Sequence, residues 1–190
     1  MKKLLKRFAL IILSVGLLFS LCSCRLVDSY TGFYVKSDGQ DVEITILTDD
    51  IREEYLTSHK FDFATLGDVV FIPVMKEIAH GVYRVGVSAN SQNGDEEIQI
   101  QNLTLKTDNR ILFEFNSSEN IFLEKNTHSS YTGWSDVVDF SEEETRISVV
   151  RDTKFELITD VVVIKNGKTL FRTITYNIVV KIGKTILTPT

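Results

Sequence analysis

Cysteine and proline are the two residue types that this chain of 190 residues most clearly lacks. Its two cysteines, Cys22 and Cys24, both lie near the N-terminus, so the rest of the chain has no disulfide framework, thiolate metal site or cysteine nucleophile. Its two prolines, Pro73 and Pro189, mark no linker, and no Ser-, Gly- or Pro-rich tract does so. We therefore expect residues 30–190 to form a single domain that is held together by its apolar core.

The sequence also lacks the short motifs of common enzymes. It has no Gly-x-Ser-x-Gly, no phosphate-binding loop, no Gly-x-Gly-x-x-Gly and no His-Glu-x-x-His. Its three histidines, His59, His80 and His128, do not have the spacing of a zinc motif. The acidic clusters near Gly39 and Gly94 lack the alternating ligands of a calcium loop. We therefore expect no enzymatic activity, no cofactor and no metal site.

Basic residues are outnumbered by acidic ones. The chain has 21 Lys and Arg against 26 Asp and Glu, and four of the basic residues stand among the first seven positions. Without residues 1–23, 17 basic and 26 acidic residues remain, which is a net charge of −9 with neutral histidines. Because such a surface repels phosphate groups, we expect no binding to nucleic acid.

The N-terminus has the three-part order of a secretion signal, with basic residues up to Arg7, an apolar run from Phe8 to Leu21, and then Cys22-Ser23-Cys24. The last four residues resemble the lipobox of bacterial lipoproteins, where a large aliphatic, a variable and a small residue precede the lipidated cysteine. This resemblance implies cleavage after residue 23, attachment of lipid such as palmitate to Cys24, and a short tether over residues 24–29. Cys22 fits the acceptor position less well, because Leu21 is too large for the small residue that should precede it.

The resemblance also implies a location. A lipid-anchored protein of this class is exported and stays at the cell membrane, and in a host with an outer membrane Arg25 directs it there, since the retaining aspartate is missing. Two alternatives remain open. One is an ordinary cleaved signal, and the other is an uncleaved helix of the 17 uncharged residues 8–24, at the lower limit of about 17–25 residues for a membrane span. All three place residues 30–190 outside the cytoplasmic membrane, because the basic start stays inside.

Beyond residue 29 the sequence alternates between apolar and polar residues with a period of two, which predicts strands. The strands are expected at 30–36, 41–48, 82–89, 98–106, 112–115, 121–123 and 147–150. The clearest element is a hairpin with arms 155–165 and 169–182 around Asn166-Gly167, because both turn residues tolerate a positive φ. We expect its first arm, which is apolar on both faces, to be the more central. A change of apolar phase between Ile100 and Leu103 predicts a β-bulge.

Turn and helix signals complete the prediction. Asn93-Gly94 predicts a second hairpin, between 82–90 and 97–106. Short helices are expected at 49–59, with Asp49 or Asp50 as N-cap, and at 141–145. About ten strands in one chain indicate an all-β fold, and we favour an antiparallel immunoglobulin-like β-sandwich. The alternative is a calycin-like β-barrel, because the Gly-aromatic opening of residues 29–33 resembles the first strand of lipocalins and avidins.

Five aromatic residues are candidates for an exposed binding surface, namely Tyr30, Phe33, Tyr34, Tyr131 and Trp134. Four of them belong to two similar segments, Ser-Tyr-Thr-Gly-Phe and Ser-Tyr-Thr-Gly-Trp, at 29–33 and 130–134. Amphipathic rings often anchor interfaces, although the same residues also suit a core. The sequence therefore predicts a non-enzymatic binding module, anchored to the membrane through Cys24, with an envelope protein or glycan as partner. The alternative function is a calycin-like carrier of an apolar small molecule.

Overall fold

A computed structural model describes residues 26–108, 110–117, 119–126, 128 and 130–187. The predicted signal sequence and Cys24 lie outside these residues. The strands are β1 Leu26–Ser37, β2 Gln40–Glu43, β3 Thr65–Leu66, β4 Val69–Ala79, β5 Val82–Ser91, β6 Glu97–Thr107, β7 Arg110–Asn116, β8 Asn120–Ile121, β9 Glu124–Lys125, β10 Tyr131–Trp134, β11 Val138–Ser141, β12 Lys154–Lys165 and β13 Lys168–Leu187. The helices are α1 Asp49–Thr57, a 3₁₀ turn at Asp62–Ala64, and α2 Glu142–Thr145. No helix in the described ranges has the length and apolar character of a membrane span.

The strands form two antiparallel sheets, which confirms the predicted all-β sandwich. Sheet A has the order β2-β1-β13-β12-β6-β7, and β8 also pairs with β6. Sheet B has the order β3-β4-β5-β10-β9, and β11 also pairs with β5. In the described part of the chain the two sheets stay separate and do not close into the alternative barrel.

The chain divides into two compact units. The larger is Thr31–Ile182, and the other consists of Met1–Tyr30 and Gly183–Thr190. Within the smaller unit the structure describes residues 26–30 and 183–187, which are ends of β1 and β13. There the ring of Tyr30 lies against Gly183, where a Cβ would stand 2.3 Å from Tyr30 Cε1. Residues 26–29, which the sequence assigned to the tether, are part of β1 in their backbone.

The C-terminal hairpin is confirmed and supplies much of the core. Asn166 and Gly167 have φ values of 52° and 72°, and the register of β12 and β13 closes at Lys165 opposite Lys168. In β13 the alternate residues Ile174, Tyr176, Ile178 and Val180 are all buried, as the period of two predicts. The first arm, β12, is central in sheet A, because it has β13 on one side and β6 on the other. Burial of each such side chain contributes about 1.5–3 kcal/mol.

The predicted bulge in β6 is confirmed at Gln101. Asn102 pairs with Asp160 and Ile100 pairs with Val161, so Gln101 has no partner in β12. The extra residue lets Ile98 and Ile100 on one side of it, and Leu103 on the other, all point into the core. The phase change in the sequence is the direct consequence of this geometry.

Several local expectations are wrong. The expected strands 41–48 and 121–123 end early, at Glu43 and Ile121. Asn93-Gly94 connects the two sheets and closes no hairpin, because β5 pairs with β4, β10 and β11 while β6 pairs with β12, β7 and β8. Residues 147–150 form no strand, since the backbone N–H of Val149 donates to Glu142 Oε1 at 2.8 Å. The N-cap of α1 is Thr48, whose hydroxyl accepts from the N–H of Ile51, and neither aspartate caps the helix. The helix over 141–145 is confirmed, with Ser141 as its cap.

Candidate functional site

The five candidate aromatic residues do not form one surface. Phe33 is fully buried and packs edge-on against Tyr83, with ring centroids 5.8 Å apart, so it belongs to the core. Tyr34 is half-buried in sheet A, where the ammonium group of Lys181 lies 4.7 Å from its ring centroid. Tyr30 belongs to the smaller unit and is half-exposed.

Tyr131 and Trp134 are the two candidates that the structure places on the same strand, β10. Successive residues of a strand point to opposite faces, so Trp134 shares its face with Thr132, while Tyr131 shares its face with Gly133. The ring of Tyr131 covers Gly94, where a Cβ would stand 2.4 Å from the ring. Trp134 is 41% exposed and is therefore available to a ligand.

Helix α1 supplies the first neighbour of Trp134. The guanidinium group of Arg52 lies 4.7 Å from the indole centroid, and its Nη2 donates to the carbonyl of Leu47 at 2.9 Å. The helix is fixed by Tyr55, whose hydroxyl donates to the carbonyl of Glu43 at 2.6 Å. Burial raises the pKa of Tyr55 to about 12, so this hydroxyl stays a donor at neutral pH. Arg52 is therefore held against one side of the indole ring.

Phe122 supplies the second neighbour and is the most exposed large apolar residue of the described chain, at 84%. Phe122 lies two residues before Glu124, which pairs with Thr132, and Phe122 and Trp134 line the same depression. The two rings make no stacking contact among the aromatic pairs of the described residues. An open slot therefore separates two exposed aromatic side chains.

A crossing between the sheets explains why Phe122 is exposed. Ile121 pairs with Ile98 in sheet A, and Glu124 pairs with Thr132 in sheet B, so the chain changes sheets at Phe122. The crossing lies directly on Gly133, where a Cβ would stand 2.3 Å from Ile121 Cγ2 and 2.8 Å from the Phe122 carbonyl oxygen. Only glycine allows this approach.

The slot is part of a groove of about 400 Å³. Its main lining residues are Arg52, Phe122, Glu124, Lys125, Asn126 and Trp134, and we call it the Trp134 groove. The side chains of Glu124 and Lys125 make no hydrogen bond or ion pair with the described residues. Asn126 is engaged on both sides, since its Nδ2 donates to Ser130 Oγ and its Oδ1 accepts from the N–H of His128. Glu124 pairs with Thr132, so its carboxylate is an acceptor on the face of Trp134, whereas Lys125 pairs with Tyr131 and belongs to the other face.

A buried polar ladder forms the base of the groove. The Thr132 hydroxyl donates to Asn90 Oδ1 at 3.1 Å, and Asn90 Nδ2 donates to Ser88 Oγ at 3.0 Å. Asn90 and Ser88 are fully buried, although they lie on the same face of sheet B as Trp134, because Asn90 pairs with Thr132 and Ser88 pairs with Trp134. Because every member has a partner, the ladder holds β5 and β10 in one arrangement under the groove.

Three other depressions are larger, at about 430, 510 and 530 Å³. Among their lining residues the one Phe, Tyr or Trp is Phe155, which is 3% exposed, so they offer a ligand no open ring of this kind. Within the described ranges, no group of three or more His, Cys, Asp or Glu side chains is arranged to hold a metal ion. The Trp134 groove is therefore the better candidate site.

The sequence alone pointed to Trp134 but missed Arg52, Phe122, Glu124 and Lys125. Phe122 was assigned to a short strand, where a phenylalanine is ordinarily buried. Its exposure follows from the crossing between sheets, which depends on pairing with β6 and β10. No local pattern in the sequence carries that information.

No protein-family model matches this chain, and none of the curated proteins is similar to it in sequence. A crystal structure of a protein from Archaeoglobus fulgidus is similar in part, with 9% sequence identity and a TM-score of 0.34. The match covers 66% of this chain and 100% of the archaeal chain.

Proposed function

We propose that this protein is a non-enzymatic binding module that is exported, anchored to the membrane by lipid on Cys24, and recognises an envelope partner through the Trp134 groove. The observation that carries the proposal is the pair Phe122 and Trp134. Both are exposed, Trp134 on β10 and Phe122 in the crossing from β8 to β9, beside a sheet whose polar groups at Ser88, Asn90 and Thr132 are buried and paired.

The composition of the groove supports a binding role. Large apolar side chains that stay exposed on a rigid scaffold mark interaction sites more often than chance surface residues do. Trp and Arg are enriched among residues that dominate binding energy, and here Arg52 lies against Trp134. A groove on a hydrogen-bonded sheet also needs little reordering when a partner binds, which lowers the entropic cost.

The described start of the sandwich fits a short anchor. In the sequence, Cys24 stands two residues before Leu26, the first residue of β1. A lipid on Cys24 would therefore leave little chain between the anchor and the strand. Two acyl chains give stable attachment, whereas one gives only marginal attachment. The partner is therefore expected at or near the membrane surface.

The binding role is tested by cross-linking in intact cells, followed by purification of the C-terminally tagged protein and mass spectrometry. We expect an envelope component to co-purify with the wild type and with Phe171→Ala, which removes an exposed ring from sheet A. The component should be lost from the double variant Phe122→Ala, Trp134→Ala. Equal recovery with the double variant contradicts the proposal. A protein recovered alone that releases lipid-like molecules on organic extraction favours a carrier instead.

The anchor is tested separately by palmitate labelling. We expect Cys24→Ala to block labelling and to leave uncleaved precursor, because the acceptor thiol is missing. Cys22→Ala is the matched control and should be labelled and processed normally. Normal labelling of the Cys24 variant would show that the anchor is assigned to the wrong residue.

A further inference from the structure

We infer that the Trp134 groove binds a glycan, with one sugar ring between Phe122 and Trp134. This inference rests on the proposed function and names the ligand class of the same site. Three features favour a sugar over the other envelope ligands, namely the two exposed aromatic side chains, the carboxylate of Glu124 and the size of the groove.

The aromatic pair suits the apolar face of a pyranose. An aromatic ring has a negative face, and the C–H bonds on the less polar side of a sugar ring carry positive partial charge. Phe122 and Trp134 are both exposed and line the same groove. Arg52 lies 4.7 Å from the indole centroid and also lines the groove, so it is beside the proposed sugar site.

The carboxylate of Glu124 suits hydroxyl groups. Glu124 lies on the same face as Trp134 and makes no hydrogen bond or ion pair with the described residues. A sugar hydroxyl donates to such a carboxylate, and both carboxylate oxygens can accept. An acyl chain would cover the carboxylate without offering it a partner, which is unfavourable.

The size of the groove favours a small ligand over a protein surface. Its volume of about 400 Å³ lies at the lower end of the range of about 300–1,000 Å³ for small-molecule sites. Its eight lining residues are far fewer than the 20–30 or so that a standard protein interface takes from each partner. A short stretch of a glycan fills such a groove, whereas a folded protein would need a larger contact area.

The test uses intrinsic fluorescence, because Trp134 is the single tryptophan of the chain. The full-length protein is purified in a detergent without a sugar headgroup and titrated with chitobiose, cellobiose, maltose and lactose. Each is added up to about 10 mM, tenfold above a weak dissociation constant of about 1 mM. We expect at least one disaccharide to give a saturable change in emission. Phe122→Ala and Glu124→Gln should each weaken that binding by about fivefold or more, while Phe171→Ala should not.

The outcomes separate this inference from the proposed function. Saturable binding that depends on Phe122 and Glu124 supports the glycan assignment. If no disaccharide alters the emission while cross-linking in cells still depends on the groove, the glycan assignment is overturned and the binding role stands. If neither sugar binding nor cross-linking depends on the groove, the glycan assignment and the binding role are both overturned. Binding that survives Phe122→Ala unchanged places the sugar elsewhere and also overturns the inference.

Discussion

Thr159 is a polar side chain in an apolar setting. It is fully buried in β12, opposite Leu103 of β6 and Ile174 of β13. Its hydroxyl has no hydrogen-bond partner in the described part of the chain. A buried hydroxyl without a partner loses its hydrogen bonds to water on folding and gains nothing in return, so Thr159 is expected to lower the stability of the fold.

Thr159→Val should therefore raise the free energy of unfolding by about 1 kcal/mol, because valine keeps the shape and removes the unpaired hydroxyl. Thr107→Val is the matched control. The Thr107 hydroxyl donates to the carbonyl of Lys154 at 2.8 Å, so this change should lower stability by about 1 kcal/mol. Urea unfolding of both variants measures whether each change raises or lowers the free energy of unfolding. A destabilised Thr159→Val would mean that the hydroxyl is engaged after all.

Among the elements, the short crossing from β8 to β9 connects the two sheets and exposes Phe122. Its position depends on Gly133, because a side chain at 133 would occupy the space of Ile121 and of the Phe122 carbonyl. The groove thus depends on a backbone contact between two elements as well as on its lining side chains.

Gly133→Ala should push the crossing away from β10, lower the stability by about 1–3 kcal/mol through overpacking, and change the emission of Trp134. Gly86→Ala is the control in the same sheet. A Cβ at position 86 would stand 3.0 Å from Cγ1 of Val137, a half-exposed side chain that can move. Thermal unfolding and fluorescence of the two variants test this. Equal stability of both would show that the crossing is not held by Gly133.

The contrast between two Asn-Gly pairs shows how far the sequence predicts the elements. Asn166-Gly167 lies between two strongly alternating arms, and it closes the hairpin that was predicted. Asn93-Gly94 gives the same local signal, yet β5 and β6 that flank it belong to different sheets. A turn signal fixes the local backbone conformation, whereas strand pairing depends on distant partners such as β10 and β12. For the same reason the sequence did not predict the Trp134 groove, because its lining residues come from α1, β10 and the segment from the crossing to Asn126, which are distant in the sequence.

At the scale of the whole molecule, Lys165 joins the two sheets at one end of the sandwich. From β12 of sheet A, its ammonium group contacts Asp68 at 2.9 Å, Asp95 at 3.0 Å and Glu96 at 2.9 Å. Asp68 follows β3 of sheet B, and the other two lie in the connection from β5 to β6. The Glu96 side chain is fully buried, and Ser91 donates to its second oxygen at 2.8 Å. One cation from sheet A thus neutralises a carboxylate beside sheet B and two carboxylates in the connection between the sheets.

Lys165→Met should destabilise the fold more than Lys168→Met, which alters an exposed lysine beside the same turn. Hydrogen bonding to Lys165 lowers the pKa of Asp95 below its ordinary value of 3.8. A carboxyl group whose pKa is lowered by folding stabilises the fold at pH values above its ordinary pKa. This stabilisation is lost as the pH falls through the lowered pKa. The stability gap between wild type and Lys165→Met should therefore be large at neutral pH and narrow in acid.

The hydrogen bonds to Glu96, Asp68 and Asp95 also raise the pKa of Lys165. The stabilisation of the fold by Lys165 is fully present below the ordinary lysine pKa of 10.5, and it is lost only as the pH rises through the raised pKa. Urea unfolding of the wild type and both variants from acid to neutral pH measures the gap. A gap that does not change with pH would show that Lys165 acts through packing and not through charge.

The central claim is that the Trp134 groove is where this protein meets its partner, and photo-cross-linking in intact cells tests it most directly. A photo-reactive amino acid is placed at position 122 in one strain and at position 171 in another, since both positions are exposed. We predict a discrete covalent adduct with an envelope component from position 122, lost when Trp134→Ala is added, and none from position 171. No adduct from position 122, or equal adducts from both positions, would contradict the claim.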